Sequence, residues 1–143
     1  MGGQASQALG RSRGGFSVKV HVSVDGLSNP LRFELTGGRS HDITQAEVLV
    51  VDYQCEQVIS DKGYDSADFL QFILNQGAVP VVPSRSNRKE QRDYDGHLYK
   101  ERHLVECFIN KIKHYRHIFS RSDKHSRRYL RSLSFGGTLI WLK

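Results

Sequence analysis

Apolar and polar residues alternate from Phe16 to Val24. Phe16, Val18, Val20, Val22 and Val24 fall on one side, and Ser17, Lys19, His21 and Ser23 on the other. A period of two is that of a strand with one buried face. Leu31, Phe33 and Leu35 alternate in the same way with Arg32 and Glu34. Between the runs lies a cluster of turn formers, Asp25-Gly26-Leu27-Ser28-Asn29-Pro30, so the pair is predicted to be a β-hairpin with a longer loop. Thr36-Gly37-Gly38 ends the second strand, and Asp42 or Thr44 is placed to cap a short helix running to about Val51. Cys55 to Ser60 contains Val58-Ile59, a short strand that ends at Asp61, with a turn at Gly63.

Asp65 or Ser66 then caps a helix from about Ala67 to Gln76, with Phe69, Leu70, Ile73 and Leu74 inward and Gly77 as its C-cap. Ala78 to Val82 is continuously apolar, which suits a buried strand. Ser84 to Gly96 is polar, basic and aperiodic and reads as an exposed loop. Asp95 caps a long helix from about His97 to Phe119, and Asp123 starts another from Lys124 to about Lys143. Gly136-Gly137 interrupts that last helix at roughly 1 kcal/mol per glycine relative to alanine. Residues 1–15 are rich in glycine, serine and glutamine without periodicity, and are expected to be a flexible arm. Residues 16–143 are then one α/β domain, a mixed sheet flanked by helices.

Composition adds little to this and charge adds more. A 38% hydrophobic content with 25% charged residues is globular, and no apolar run approaches the roughly 20 residues of a membrane span. Cys55 and Cys107 form no CxxC pair and read as reduced thiols, so a cytoplasmic setting without membrane contact is expected. The net charge of +6 is unevenly spread: residues 1–83 carry six Lys/Arg against nine Asp/Glu, and residues 84–143 carry fifteen against six. A strongly basic half suits either a solvated helix surface or a polyanionic partner such as DNA.

Turning the helix from His97 to Phe119 by 100° per residue puts Tyr99, Arg102, Glu106 and Lys113 within a sector of about 60°. Leu98, Leu104, Val105, Phe108, Ile109 and Ile112 occupy another face. One acid among cations and an aromatic suits metal ligation beside phosphate contacts. The same pattern also suits an ordinary surface of i,i+4 ion pairs. Asp61 follows a short buried strand at its C-terminal end, where α/β folds place ligands, and a turn or cap aspartate would sit there too. His103 with Cys107 and His114 with His117 have zinc-like spacing, but a third and fourth ligand are not evident.

Tyr99-x-x-Arg102-x-x-x-Glu106-x-x-x-x-x-x-Lys113 is similar at every spacing to the Tyr-Arg-Glu-Lys signature of insertion-sequence DDE transposases. Ser60-Asp61-Lys62-Gly63-Tyr64-Asp65-Ser66 resembles the block around their second catalytic aspartate. Gly10-Arg11-Ser12-Arg13-Gly14-Gly15, Gly37-Gly38-Arg39-Ser40-His41-Asp42, Pro83-Ser84-Arg85-Ser86-Asn87-Arg88 and Ile140-Trp141-Leu142 resemble further blocks of the insertion-sequence-five group. The resemblance covers nearly the whole chain. It implies an RNase H-like fold and DNA transposition, with metal-dependent cleavage and strand transfer of insertion-sequence DNA. Asp61 would be the second acid and Glu106 the third, holding Mg²⁺ or Mn²⁺. Tyr99, Arg102 and Lys113, with Arg85 and Arg88, would contact DNA at the transposon ends and target.

The same resemblance implies that the first acid lies on a strand upstream of the Gly-Arg-Ser-Arg-Gly-Gly block. The first, central strand of the fold is then missing from residues 1–143, the two-ion site is incomplete, and the chain alone is expected to be inactive in strand transfer. Asp25, among turn residues, does not replace that acid. A homodimer or a complex with an upstream-frame product is implied. The competing function is a catalytically inactive DNA-binding fragment that regulates a full-length transposase.

Overall fold

The computed structural model describes residues 10–12, 15–115 and 126–143, with side chains from Val18 onward except that of Ser126. The expected arm over residues 1–9 and 13–14, His117 and the Asp123 cap lie outside the described residues. Two compact units form: Met1–Ser40 with Leu104–Lys143, and His41–His103. The fold is α/β. In place of one mixed sheet, the described strands make an antiparallel sheet of order β1-β2-β3 and a parallel pair β4-β5.

In the first unit, β2 (Gly15–Val24) pairs antiparallel with β3 (Pro30–Gly37), the hairpin expected from the alternation. A short strand β1 (Gly10–Ser12) pairs with β2 where the sequence suggested only loop. Backbone pairing needs no apolar side chain, which is why a glycine-rich segment hides it. The hairpin loop is closed by Asp25, whose carboxylate accepts from the amides of Leu27 and Asn29, both at 2.9 Å. Ser28 adopts φ 66° in that loop, and its hydroxyl donates to the Leu104 carbonyl at 2.8 Å.

The core of this unit joins the hairpin to two helices, α4 (His103–Lys113) and α5 (Ser126–Trp141). Phe108, Ile112, Tyr129, Leu133 and Ile140 are buried, with Val22, Val24, Phe33 and Leu35 packed against them. The alternation is not the whole story on β2: Val20 is exposed while His21 is buried. The imidazole lies 2.8 Å from the Thr36 hydroxyl, a diagonal cross-strand pair that lets a polar side chain be covered.

Helix α5 runs through Gly136-Gly137 unbroken. A Cβ on Gly137 would stand 3.0 Å from Pro30 Cγ and 3.1 Å from the Phe33 ring, so the glycine is what lets the helix lie on β3. Trp141 is half exposed and tied by its indole N–H to the Pro30 carbonyl at 2.7 Å.

The second unit begins with a 3₁₀ turn (Asp42–Gln45) leading into α1 (Ala46–Val50). Its N-cap is His41, so neither Asp42 nor Thr44 caps it; the Thr44 hydroxyl instead donates back to the His41 carbonyl. Strand β4 (Gln57–Ile59) pairs in parallel with β5 (Val79–Val81), and α2 (Ala67–Asn75) connects them. Ala46, Phe69, Ile73 and Ala78 form a small core, with Val58, Tyr64 and Phe72 against it. Gly77 ends α2 with φ 80°, as a left-handed C′ residue does.

The basic helix is not uniform. It comprises α3 (Gly96–Tyr99), a 3₁₀ turn (Lys100–Arg102) and α4. Asp95 caps it as expected, accepting from the amides of His97 at 2.8 Å and Leu98 at 3.0 Å. It stops at Lys113, short of the expected Phe119. The amides of His114 and Tyr115 turn back three residues, to the carbonyls of Lys111 and Ile112, which tightens the last turn. Among the described residues no helix is long and apolar enough to cross a membrane.

Candidate functional site

Asp61 stands two residues beyond β4, at the C-terminal end of the parallel pair. It is the N-cap of a 3₁₀ turn over Lys62–Tyr64, and its Oδ1 accepts from the Gly63 amide at 2.8 Å. The cap reading of this residue is therefore realised, and one carboxylate oxygen is tethered by it. Glycine at 63 leaves room for this contact: a Cβ there would lie 2.8 Å from Asp61 Oδ1 and 3.4 Å from Asp42 Oδ2, so a larger residue would displace the Asp61 carboxylate. Two carboxylates thus flank one turn. Burial, then the charges of Asp42 and Asp61, push the Tyr64 hydroxyl well above its ordinary value.

Asp65 caps nothing. The N-cap of α2 is Ser66, without a side-chain bond. Asp65 turns inward, its side chain fully buried, and accepts from the Arg85 amide at 2.8 Å, from Arg88 Nε at 2.6 Å and from Arg92 Nη2. Burial pushes its carboxyl up, but the Arg85 amide and the two guanidinium groups outweigh that and hold it below the ordinary value.

The loop expected to be merely exposed is strapped down by these bonds. The buried Ser84 hydroxyl accepts from the Arg92 amide at 2.8 Å, and the Gln91 amide group donates to the carbonyls of Arg85 and Arg88, both at 3.1 Å. Arg85 reaches back to the Asp61 turn, donating from Nε to the Lys62 carbonyl at 3.3 Å and from Nη2 to the Gly63 carbonyl at 3.0 Å. Arg85 and Arg88, expected on DNA, thus spend several N–H groups inside the fold. Asp65 is the functional candidate that sequence reasoning missed. An aperiodic loop carrying three arginines, Arg85, Arg88 and Arg92, was the signal for it.

Tyr99 is half-buried, with its ring edge-on to Tyr94 at 5.5 Å between centroids. Arg102 is half-buried in the 3₁₀ turn. These two belong with Asp61, Arg85 and Arg88 to the second unit, and Glu106 and Lys113 belong to the first. Glu106 and Lys113 are exposed on α4, whose opposite face is anchored by Phe108 and Ile112. Asp25 stays a turn residue. Burial raises its carboxyl, and the Asn29 and Leu27 amides, the Asn29 side chain and Lys111 together lower it below the ordinary value.

Hard oxygen donors suit Mg²⁺ or Mn²⁺, and the tether on Asp61 Oδ1 fixes the carboxylate while its other oxygen can ligate. Among the described residues no group of three or more His, Cys, Asp and Glu is placed to hold a metal ion, so the zinc reading of His103 and Cys107 finds no completing ligands there.

The chain belongs to the transposase DDE domain family, whose model matches residues 3–135. It is 34% identical over 129 residues to a putative transposase for insertion sequence element IS6501 of Brucella ovis, a match covering 89% of this chain and 99% of that relative. No solved structure matches the chain.

Proposed function

We propose that the chain is part of the catalytic domain of an RNase H-like transposase of the insertion-sequence-five group, supplying two of the three acids for metal-dependent cleavage and strand transfer of insertion-sequence DNA. Asp61 and Glu106 are its metal ligands and catalytic acids. Tyr99, Arg102, Lys113, Arg85 and Arg88 are its DNA contacts. The observation that carries this reading is the seat of Asp61, at the C-terminal end of β4 with one carboxylate oxygen fixed by the Gly63 amide. Membership of the DDE family supports the rest.

Bound Mg²⁺ or Mn²⁺ would supply activation of the attacking oxygen and stabilisation of the leaving oxygen at the scissile phosphate. Asp61 presents its carboxylate in a fixed direction, at no ordering cost when the ion arrives. Glu106 projects from a helix whose position is set by apolar anchors. The arginines and lysine neutralise phosphate charge, and the Tyr99 hydroxyl donates to phosphate or its ring stacks on a base.

The test replaces the cation with Fe²⁺ and adds peroxide, which cuts the polypeptide beside a bound iron. Cuts near both Asp61 and Glu106, suppressed by excess Mg²⁺ and lost in Asp61→Asn, are expected. In cells, Asp61→Asn and Glu106→Gln should each abolish excision of an element encoding the chain. Retained excision in either variant would overturn the assignment, and excision lost without iron cuts at both places would point to a DNA-binding role instead.

A further inference from the structure

We propose that Arg85, anchored by the buried Asp65, is a positioning residue that aims the Asp61 carboxylate; this deepens the reading above and rests on it for the role of Asp61. The Lys62 carbonyl and the Gly63 amide belong to one planar peptide unit, and their bonds point in opposite directions from it. Arg85 Nε holds the carbonyl end at 3.3 Å, while the amide end donates to Asp61 Oδ1 at 2.8 Å. Arg85 Nη2 holds the next carbonyl, Gly63, at 3.0 Å. One planar guanidinium therefore grips two consecutive carbonyls of the turn and fixes the rotation of the peptide whose N–H orients the acid.

The turn is closed by the Tyr64 amide on the Asp61 carbonyl at 3.0 Å and the Asp65 amide on the Lys62 carbonyl at 3.3 Å, and Arg85 adds a second donor to the Lys62 carbonyl and one to the Gly63 carbonyl. The turn contains glycine, which permits many rotations, and the steric space at Gly63 is set by the carboxylates themselves. The guanidinium is in turn placed from behind. Asp65, four residues after Asp61, takes the Arg85 amide on Oδ2 and locks the remainder of the loop through Arg88 and Arg92. The path runs from Asp65 to the Arg85 backbone, through its side chain to the 62–63 peptide, and ends on Asp61. Every step but the last lies outside hydrogen-bond contact with that acid, so Arg85 and Asp65 position it without touching what it binds.

Lysine could not substitute. Its single ammonium group has no rigid fork to span two carbonyls. Removing a residue that orients a metal ligand typically costs 10–100-fold in metal affinity. The longer Arg85 bond is solvent-exposed, which places the expected loss near the lower end, about 10-fold.

Arg85 is exposed, so its replacement leaves the core intact. The full chain is titrated with Mn²⁺ by electron paramagnetic resonance, and the Gly63 amide proton is followed by NMR without metal. In Arg85→Gln the Gly63 amide is expected to shift upfield and exchange faster, Mn²⁺ affinity to fall about 10-fold, and Arg85→Lys to fall between. Asp65→Asn should move the same amide in the same direction. An unchanged Gly63 amide in Arg85→Gln overturns the proposal, whatever happens to DNA affinity; a loss of DNA affinity alone makes Arg85 a phosphate contact only. A moved amide with Mn²⁺ affinity unchanged in Arg85→Gln but weakened in Asp61→Asn also overturns it. If wild type and Asp61→Asn bind Mn²⁺ equally, the metal role of Asp61 fails, and the Gly63 amide still decides whether Arg85 aims that side chain.

Discussion

Asp61 and Glu106 are held in their two units by opposite means. Glu106 rides on a helix whose other face carries Phe108 and Ile112, 2% and 1% exposed, in a core built from a hairpin and two helices. Its direction follows from helix geometry and apolar packing. Asp61 sits in a short turn beside the cluster of Ala46, Phe69, Ile73 and Ala78, in a unit where Leu49, Leu70, Val81 and Val82 are buried too, so packing places the turn but does not aim the side chain. There the work falls to polar groups: the Gly63 amide, Arg85 on two carbonyls, and the buried Asp65 with Arg88 and Arg92. Apolar packing is non-directional and fixes where a backbone lies. Hydrogen bonds are directional and fix how one side chain points. The two units should therefore respond differently to core damage and to acid.

Core damage gives the largest effect. Phe108 is buried, with its ring 5.7 Å from that of Phe33. Phe108→Ala is expected to cost about 3–5 kcal/mol, a large part of the 5–15 kcal/mol typical of a folded domain. Hydrogen exchange should show the loss first at the paired amides of β2 and β3, with β4 and β5 less affected. Equal loss of protection in all four strands would mean that the two units open as one cooperative unit.

Acid is the matching probe of the second unit. Asp65 is held below its ordinary value by its three donors, so in the folded state it binds its proton less readily than when unfolded. Stability from this group is therefore full above the ordinary carboxylate pKa of about 4 and is lost as pH falls through the lower folded value. Hydrogen bonds to a charged group are each worth about 1.5–3 kcal/mol at most. Arg88 and Arg92 keep 39% and 34% side-chain exposure and can turn to water, so the net loss should be about 1–2 kcal/mol. Asp25 contributes a similar acid slope from the hairpin loop. Subtracting the Asp65→Asn stability curve from wild type isolates the clamp: the difference should be flat above about pH 5 and shrink below about pH 4. A difference independent of pH down to 2 would show that the charge of Asp65 does not hold the loop.

The same contrast explains what could be read in the sequence. The hairpin was legible because alternation and a turn cluster are local signals. So were Gly77, required by φ 80°, and Asp95, whose side chain reaches amides two and three residues on. Asp61 after β4 was legible for the same reason. The partners of Asp65 lie 20 to 27 positions away, and no periodicity links them to it. Gly137 misled in the opposite direction. Its cost to a helix is local and visible, while its benefit, the approach to Pro30 and Phe33, is tertiary. The 3₁₀ turn over Lys100–Arg102 has no marker residue, so a uniform 100° wheel cannot carry angles across it.

The smallest effect sharpens the comparison at two helix starts. Serine, aspartate and asparagine at an N-cap usually contribute about 1 kcal/mol, and their loss to alanine costs about 0.5–2 kcal/mol. Asp95 meets that description, with one carboxylate oxygen accepting two amides. Ser66 occupies the N-cap of α2 and makes no cap bond. Asp95→Ala should therefore fall in the usual range, while Ser66→Ala should change stability by no more than a few tenths of a kcal/mol. Urea unfolding of both variants decides it. An equal cost at both positions would mean that the Ser66 hydroxyl caps α2 in solution and that Asp65 leaves more of the helix start to its neighbour than its buried pairing with two guanidinium groups and the Arg85 amide implies.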